Sequence, residues 1–172
     1  MKGVIKGRGS VVFAGTFDPL TLGHEDIIQR ACNAFSNVYV IVSNNPTKKT
    51  LFTLEQRIGF VEQFLYENNL INARARTISD DAKLLVNECK RLGIETMIRG
   101  IRNEADFAYE MTLGSVNRSQ DPGIDTVYFM THPHFTHVSS SNAKELARLG
   151  GNIRSYVNSH VLKAVENAMG MG

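Results

Sequence analysis

Cysteine is scarce in this chain: Cys32 and Cys89 are the only two among 172 residues. Two are too few for a secreted disulfide scaffold, and neither has a CxxC partner that would suggest redox or zinc chemistry. Long apolar runs are also lacking. The longest in the first half, Val38–Val42, falls far short of the about 20 residues that cross a bilayer as a helix. Lys2, Lys6 and Arg8 lie at the start, but no apolar stretch follows them to complete a signal peptide. Charge of one sign is not in excess either. Lys and Arg number 19 and Asp and Glu 17, a formal net charge of +2 with pI near 8.6, too balanced for a dedicated nucleic-acid binder. No repeat, low-complexity tract or charge block divides the chain. What is present is 42% hydrophobic and 21% charged residues, the mix of an ordinary globule. At this length roughly 70% of the unfolded surface is buried on folding, so no covalent staple is required. The expectation is a cytoplasmic protein with a flexible leader over 1–10, rich in glycine, and one domain over 11–172.

Short apolar runs alternate with amphipathic stretches. Val11–Ala14 predicts a strand ending at Gly15, and Ile27, Ile28, Ala31, Ala34 and Phe35 place a helix over 23–35. Val38–Ser43 reads as a strand buried on both faces, followed by a polar loop over 44–53 and a helix over 54–68. Ala73–Ile78 alternates arginine with apolar residues, as an edge strand does; Ala82–Leu92 reads as a helix and Thr96–Arg99 as a strand. A helix over 104–119, the strand Thr126–Thr131 and helices over 140–149 and 156–169 complete the pattern. Strand and helix alternating five times predict an α/β fold: a single-domain, Rossmann-like, doubly wound five-stranded parallel sheet, helices on both faces, further helices at the C-terminus. A ligand of such a sheet binds at the carboxyl ends of the strands. The informative segments all fall there.

The richest segment is Gly15-Thr-Phe-Asp-Pro-Leu-Thr-Leu-Gly23-His24. Gly15 permits a tight turn at the strand end, Gly23 permits close approach of a ligand, and His24 lies in the first turn of a helix, beside free N–H groups suited to a triphosphate. A lone Gly-x-His is more often a structural turn with a solvated histidine. Thr16, Asp18 and Pro19 at fixed spacing reverse that reading. The Walker pattern is absent, which excludes P-loop chemistry.

This motif resembles that of bacterial phosphopantetheine adenylyltransferases, nucleotidyltransferases with a Thr/His-x-Gly-His element. Four later segments fit the same family in order and spacing: Pro46–Arg57 is similar to its lysine loop, Ile98–Arg102 to its Arg-Gly-x-Arg element, Asp106–Met111 to the stretch after it, and Val138–Ser141 to its triple-serine loop, which opens the helix carrying Lys144, Glu145 and Arg148. The similarity spans about residues 11–165. The chain departs from the family at Phe13-Ala14, where Tyr-Pro is usual, at Leu22 in place of Asn, at Thr50 in place of Pro, and in its longer leader.

The resemblance implies transfer of AMP from ATP to 4′-phosphopantetheine, giving dephospho-coenzyme A and pyrophosphate, within a nucleotidyltransferase domain over 11–172. The attacking phosphate is already ionised, so such a site needs cations and hydrogen-bond donors instead of a general base. The implied catalytic residues are His24 on the α-phosphate, with Lys48 and Arg99 on the acceptor phosphate. The implied ATP site comprises Gly15, Thr16, Phe17, Gly23, His24, Gly100, Arg102, Glu110 and the serines Ser139, Ser140 and Ser141. The implied acceptor site comprises Thr16, Lys48, Leu85, Arg99 and Asn117. Mg²⁺ is the expected charge partner of the triphosphate. A homohexamer and feedback inhibition by coenzyme A are further implications of the resemblance, with no role for nucleic acid or membrane.

Plainer readings stand beside these. Lys48 and Lys49 alone would be a solvated loop pair, Arg99 and Arg102 fit ion pairs with Glu104 or Asp106 as well, and Glu110 fits either the adenosine or a surface charge. Leu84 and Leu85 read mainly as helix core, Asn142 with Glu145 as a helix-capping pair. Tyr109, Tyr128, Phe129 and Phe135 read as packing, and both cysteines as buried and inert. His132, His134 and His137 crowd six residues, but without a Cys or carboxylate in the run they are not assigned to a metal. Two rival functions remain open: a superfamily relative acting on nicotinamide mononucleotide or a polyol phosphate, and a non-catalytic nucleotide-binding module.

Overall fold

A computed structural model describes residues 9–44, 49–78 and 82–170. Five parallel strands, β1 (Ser10–Gly15), β2 (Asn37–Val42), β3 (Ala73–Thr77), β4 (Thr96–Ile101) and β5 (Asp125–Met130), form one sheet in the order β3-β2-β1-β4-β5. The connecting helices are α1 (Leu22–Ala34), α2 (Leu54–Glu67), α3 (Leu85–Leu92) and α4 (Glu104–Gln120), with α5 (Ser140–Arg148) and α6 (Ser159–Met169) closing the described chain. Among the described residues no helix is long and apolar enough to cross a membrane.

Alternation along β1 explains its central place. Val11 and Phe13 join the core beneath α1, α2 and α6, while Val12 and Ala14 join the smaller core with Val86, Cys89, Ile94 and Met97 on the other face. A strand buried on both faces needs a near-continuous apolar run, which β1 and β2 supply. Ala73–Thr77 carries Arg74 and Arg76 outward and lies at the sheet edge, as its alternation predicts.

The differences from the sequence reading are local. The third helix begins at Leu85, not Ala82, because Lys83 takes a left-handed conformation (φ 52°) that an α-helix does not continue through. The last helix starts at Ser159, capped by the Asn158 side chain, which accepts from the Val161 N–H. The triple-serine helix is capped by Ser139 and not by Asn142: Ser139 Oγ accepts from the Asn142 N–H at 3.1 Å, and the Asn142 amide instead donates to the His137 carbonyl.

The strand order reverses direction between β1 and β4, the switch point at which an open α/β sheet leaves a crevice. The ladder itself shows that crevice opening. Pairing of β1 with β4 runs from Val11↔Thr96 to Phe13↔Ile98, although both strands continue beyond. Where they part, Arg99 Nη1 donates to the Ala14 carbonyl at 2.7 Å.

Candidate active site

The parted strands form the floor of a cleft of about 740 Å³, walled by the β1–α1 loop, the end of the β2–α2 loop, the start of α4 and the N-terminus of α5. Gly15, Thr16, Phe17, Gly23, His24, Leu85, Arg99, Gly100, Arg102, Glu110 and Ser139–Ser141 all line it. The first and last of these, Gly15 and Ser141, stand 126 positions apart, and the parallel topology brings them together. Asn117 does not join them: its amide points to the Met97 sulfur at 3.5 Å, on the far part of α4. Lys48 lies outside the described residues. Tyr109, expected as packing, is 63% exposed and lines the cleft, whereas Leu84 is exposed and leaves the pocket to Leu85.

His24 is the third residue of α1, and its Nδ1 accepts the Thr21 backbone N–H at 3.1 Å. A backbone N–H can only donate, so Nδ1 is unprotonated and the neutral ring carries its proton on Nε2. The ring sits edge-on to Phe17, 5.0 Å between centroids, with Phe13 behind it. Burial, and secondarily the Arg102 guanidinium, push its pKa down to about 4. His24 is therefore a neutral Nε2–H donor throughout the physiological range.

Phe17 supports it at a conformational cost. Its backbone is left-handed (φ 49°), which disfavours any residue with a Cβ by about 1 kcal/mol, yet its side chain is buried. Gly15 makes this possible, since a Cβ there would meet the Phe17 ring at 3.0 Å. Gly15 is thus required for close packing, in addition to any turn. Gly23 lies beneath the Phe135–Val138 segment, with the Val138 carbonyl 3.6 Å from where its Cβ would be.

The two arginines are held by carboxylates. Arg102 makes a two-pronged pair with Asp106, at 2.6 Å and 3.0 Å, realising the ion-pair reading while still lining the cleft. Arg99 Nε lies 3.3 Å from Glu110 Oε2. Burial raises the Glu110 pKa against the opposing pull of Arg99, and Glu110 Oε2 finds no aligned hydrogen-bond donor among the described residues. Ser139, Ser140 and Ser141 stand at the start of α5, where unpaired N–H groups and the helix dipole favour an anion.

Sequence reasoning passed over Arg57. It is 1% exposed and donates to the carbonyls of Thr16 (2.7 Å), Ser43 (2.8 Å) and Phe52 (3.3 Å), tying both shoulders of the β2–α2 loop to the first motif. An arginine at a core position of α2, among Ile58, Val61 and Phe64, was the available signal.

The remaining candidates are peripheral. The His132 and His134 rings stack at 5.0 Å and His137 meets Tyr156 edge-on. Among the described residues no three His, Cys, Asp or Glu side chains form a metal-binding group. Cys89 is buried and Cys32 partly so; burial pushes both thiols up to about 11.

Comparison with known proteins fits this geometry. The cytidylyltransferase-like family profile matches residues 12–146. The chain is 40% identical over 156 residues to a phosphopantetheine adenylyltransferase from Streptococcus uberis, covering 91% of this chain and 92% of the relative. It is equally 40% identical over 155 residues to the enzyme of that name from Thermosynechococcus vestitus, covering 90% and 89%. In fold it is similar to a Plasmodium falciparum nicotinic acid mononucleotide adenylyltransferase, with TM-score 0.67 at 10% identity over 94% of this chain and 96% of the other. By the extent of these matches the chain belongs to the phosphopantetheine adenylyltransferases of the cytidylyltransferase-like family.

Proposed function

We propose that this chain joins the α-phosphorus of ATP to the phosphate of 4′-phosphopantetheine. A phosphate oxygen of the acceptor forms the new bond to Pα, the bond from Pα to the bridging oxygen breaks, and pyrophosphate leaves with its electron pair. The observation that carries the reading is the neutral His24, held as an Nε2–H donor by the Thr21 N–H in the same cleft as two arginines and the α5 N-terminus. A fixed neutral donor aimed where charge develops needs no reorganisation during reaction and accepts no proton, as a reaction without a general base requires.

The role of each residue follows from its chemistry. His24 donates to the α-phosphate. Thr16 and Arg99 hold the acceptor phosphate together with Lys48, and Leu85 packs on the pantetheine arm. Arg102 and the serines Ser139–Ser141 hold the ATP phosphates, with Gly15, Phe17, Gly23 and Gly100 shaping the wall. Glu110 Oε2, which faces Arg99 but has no aligned hydrogen-bond donor among the described residues, is an acceptor for the adenosine. Mg²⁺ enters as the partner of the triphosphate: the described residues form no carboxylate cluster to hold it, and Asp18 and Asp106 already face cations. When bound, the ion would offset the negative charge of the triphosphate that Arg102 and Ser139–Ser141 hold.

The same reading makes residues 11–172 one catalytic domain of a cytoplasmic homohexamer, with coenzyme A as a competing inhibitor. Self-association is favoured by α4, which buries none of its 17 residues and leaves Phe107, Tyr109, Met111 and Val116 between 44% and 63% exposed.

The deciding experiment is pyrophosphate release from ATP and Mg²⁺ with 4′-phosphopantetheine, nicotinamide mononucleotide, glycerol 3-phosphate or no acceptor. Release with 4′-phosphopantetheine alone is expected. Release with another acceptor overturns the substrate, and ATP binding without any release overturns catalysis.

A further inference from the structure

Asp18 and Lys144 stand 126 positions apart and form a buried ion pair that none of the roles above uses. The Lys144 Nζ lies 2.6 Å from Asp18 Oδ2, with the two side chains 17% and 3% exposed. The same carboxylate accepts the Leu51 N–H at 2.9 Å and the Phe52 N–H at 2.9 Å. A carboxylate so buried must be matched by donors and a countercharge. Its three partners come from two different elements, the end of the β2–α2 loop and the helix α5.

The α5 side of this junction has a second tie. Ser140 Oγ donates to the Pro19 carbonyl at 2.8 Å. Ser140 and Lys144, four apart and so on one helix face, reach the adjacent residues Pro19 and Asp18. The first turn of α5, the Asp18–Pro19 turn and the Leu51–Phe52 backbone are thereby fastened at one point. Lys49 and Thr50, immediately before that backbone, line the cleft, as does Lys144 itself.

We propose that Lys144 is a positioning residue. Through Asp18 it fixes the Leu51–Phe52 backbone, and with it the Lys49–Thr50 wall of the cleft, to the helix whose N-terminus receives the triphosphate. The ammonium serves Asp18 and not the nucleotide. Binding at the α5 end and binding against the β2–α2 wall are then coupled, because both sites share this junction. The effect on catalysis rests on the functional reading above, in which the β2–α2 wall receives the acceptor; the mechanical effect does not.

The test compares Lys144→Met, Lys144→Arg and Asp18→Asn with the unaltered protein, reading two quantities. The first is amide hydrogen exchange at Leu51 and Phe52, which reports local opening whether or not the protein turns over. The second is steady-state kinetics with ATP, Mg²⁺ and 4′-phosphopantetheine, alongside the affinity for ATP alone. In Lys144→Met, exchange at both amides and KM for the acceptor should each rise about tenfold, while ATP affinity alone changes less than about twofold. Lys144→Arg should restore both, because a guanidinium reaches the same carboxylate. Unchanged exchange in a folded Lys144→Met protein overturns the proposal. So does a loss of ATP affinity with acceptor KM unchanged, the mark of a direct nucleotide contact. If Lys144→Met does not fold, Asp18→Asn keeps the test, since a neutral amide weakens the tie to Lys144 and should raise exchange at the same two amides. If the unaltered protein does not use 4′-phosphopantetheine, the functional reading fails, and exchange at Leu51 and Phe52 decides the positioning role of Lys144 by itself.

Discussion

His24 gains its chemical character from one backbone hydrogen bond. The Thr21 N–H occupies Nδ1 at 3.1 Å, and burial keeps the ring neutral down to a pKa of about 4. In the free protein, NMR titration of the His24 ring should show no protonation between pH 8 and 6 and a midpoint near 4, while a solvated histidine titrates near 6.5. The sign for stability follows: a depressed pKa means the contribution is complete above about 6.5 and is lost as pH falls toward 4. His24→Ala should lower turnover by roughly 100-fold or more with a much smaller change in ATP affinity, measured by steady-state kinetics and equilibrium binding. The motif around His24 makes its importance legible in the sequence. Its tautomer is not legible, because that depends on where the ring turns once α1 has started at Leu22.

Between elements, a buried polar contact at Arg57 and a half-buried one at Glu25 tie helices to their neighbours. Arg57 on α2 meets three carbonyls from the β1–α1 and β2–α2 connections. Arg57→Met keeps the volume but leaves those acceptors without a donor, so urea unfolding should show a loss of about 3 kcal/mol. Glu25, in the first turn of α1, accepts from the Asn158 amide that caps α6, with Glu67 and His160 facing the same junction. Burial first, and then Glu67, raise its pKa to about 7 against the Asn158 hydrogen bond. A carboxyl raised in the folded state favours folding below its unfolded value of about 4.5, and that advantage is lost as pH rises through 7. Glu25→Gln should therefore stabilise the protein at pH 8, by at most about 3 kcal/mol, and the gain should vanish toward pH 4.5. Chemical denaturation at the two pH values measures the difference. Periodicity placed the helices well, since α1, α2 and α4 each begin and end within about two residues of the expected bounds. It could not show Arg57 as buried or Glu25 as half-buried, because apolar periodicity identifies a face and not the polar groups that a particular neighbour accommodates.

At the scale of the molecule, the unburied helix α4 and the exposed residues Val127 and Met130 of β5 form the side least satisfied within one chain. If this surface joins copies of the chain, Val116→Glu should shift sedimentation to smaller species at micromolar concentration, because a charge there must be desolvated on association. An unchanged sedimentation coefficient would remove α4 from the interface.

The sequence by itself determined the order of strands and helices, the two-faced burial of β1 and β2, the edge character of β3, and the residue types gathered for a polyanion. Those follow from apolar periodicity, turn residues and motif spacing, all local along the chain. Only the tertiary structure decided that β1 and β4 part after Phe13 and Ile98, that Asn117 turns to Met97 and away from the cleft, and that Asp18 meets Lys144. Each is a contact between segments far apart in sequence, set by sheet register and helix docking, and no local pattern records it.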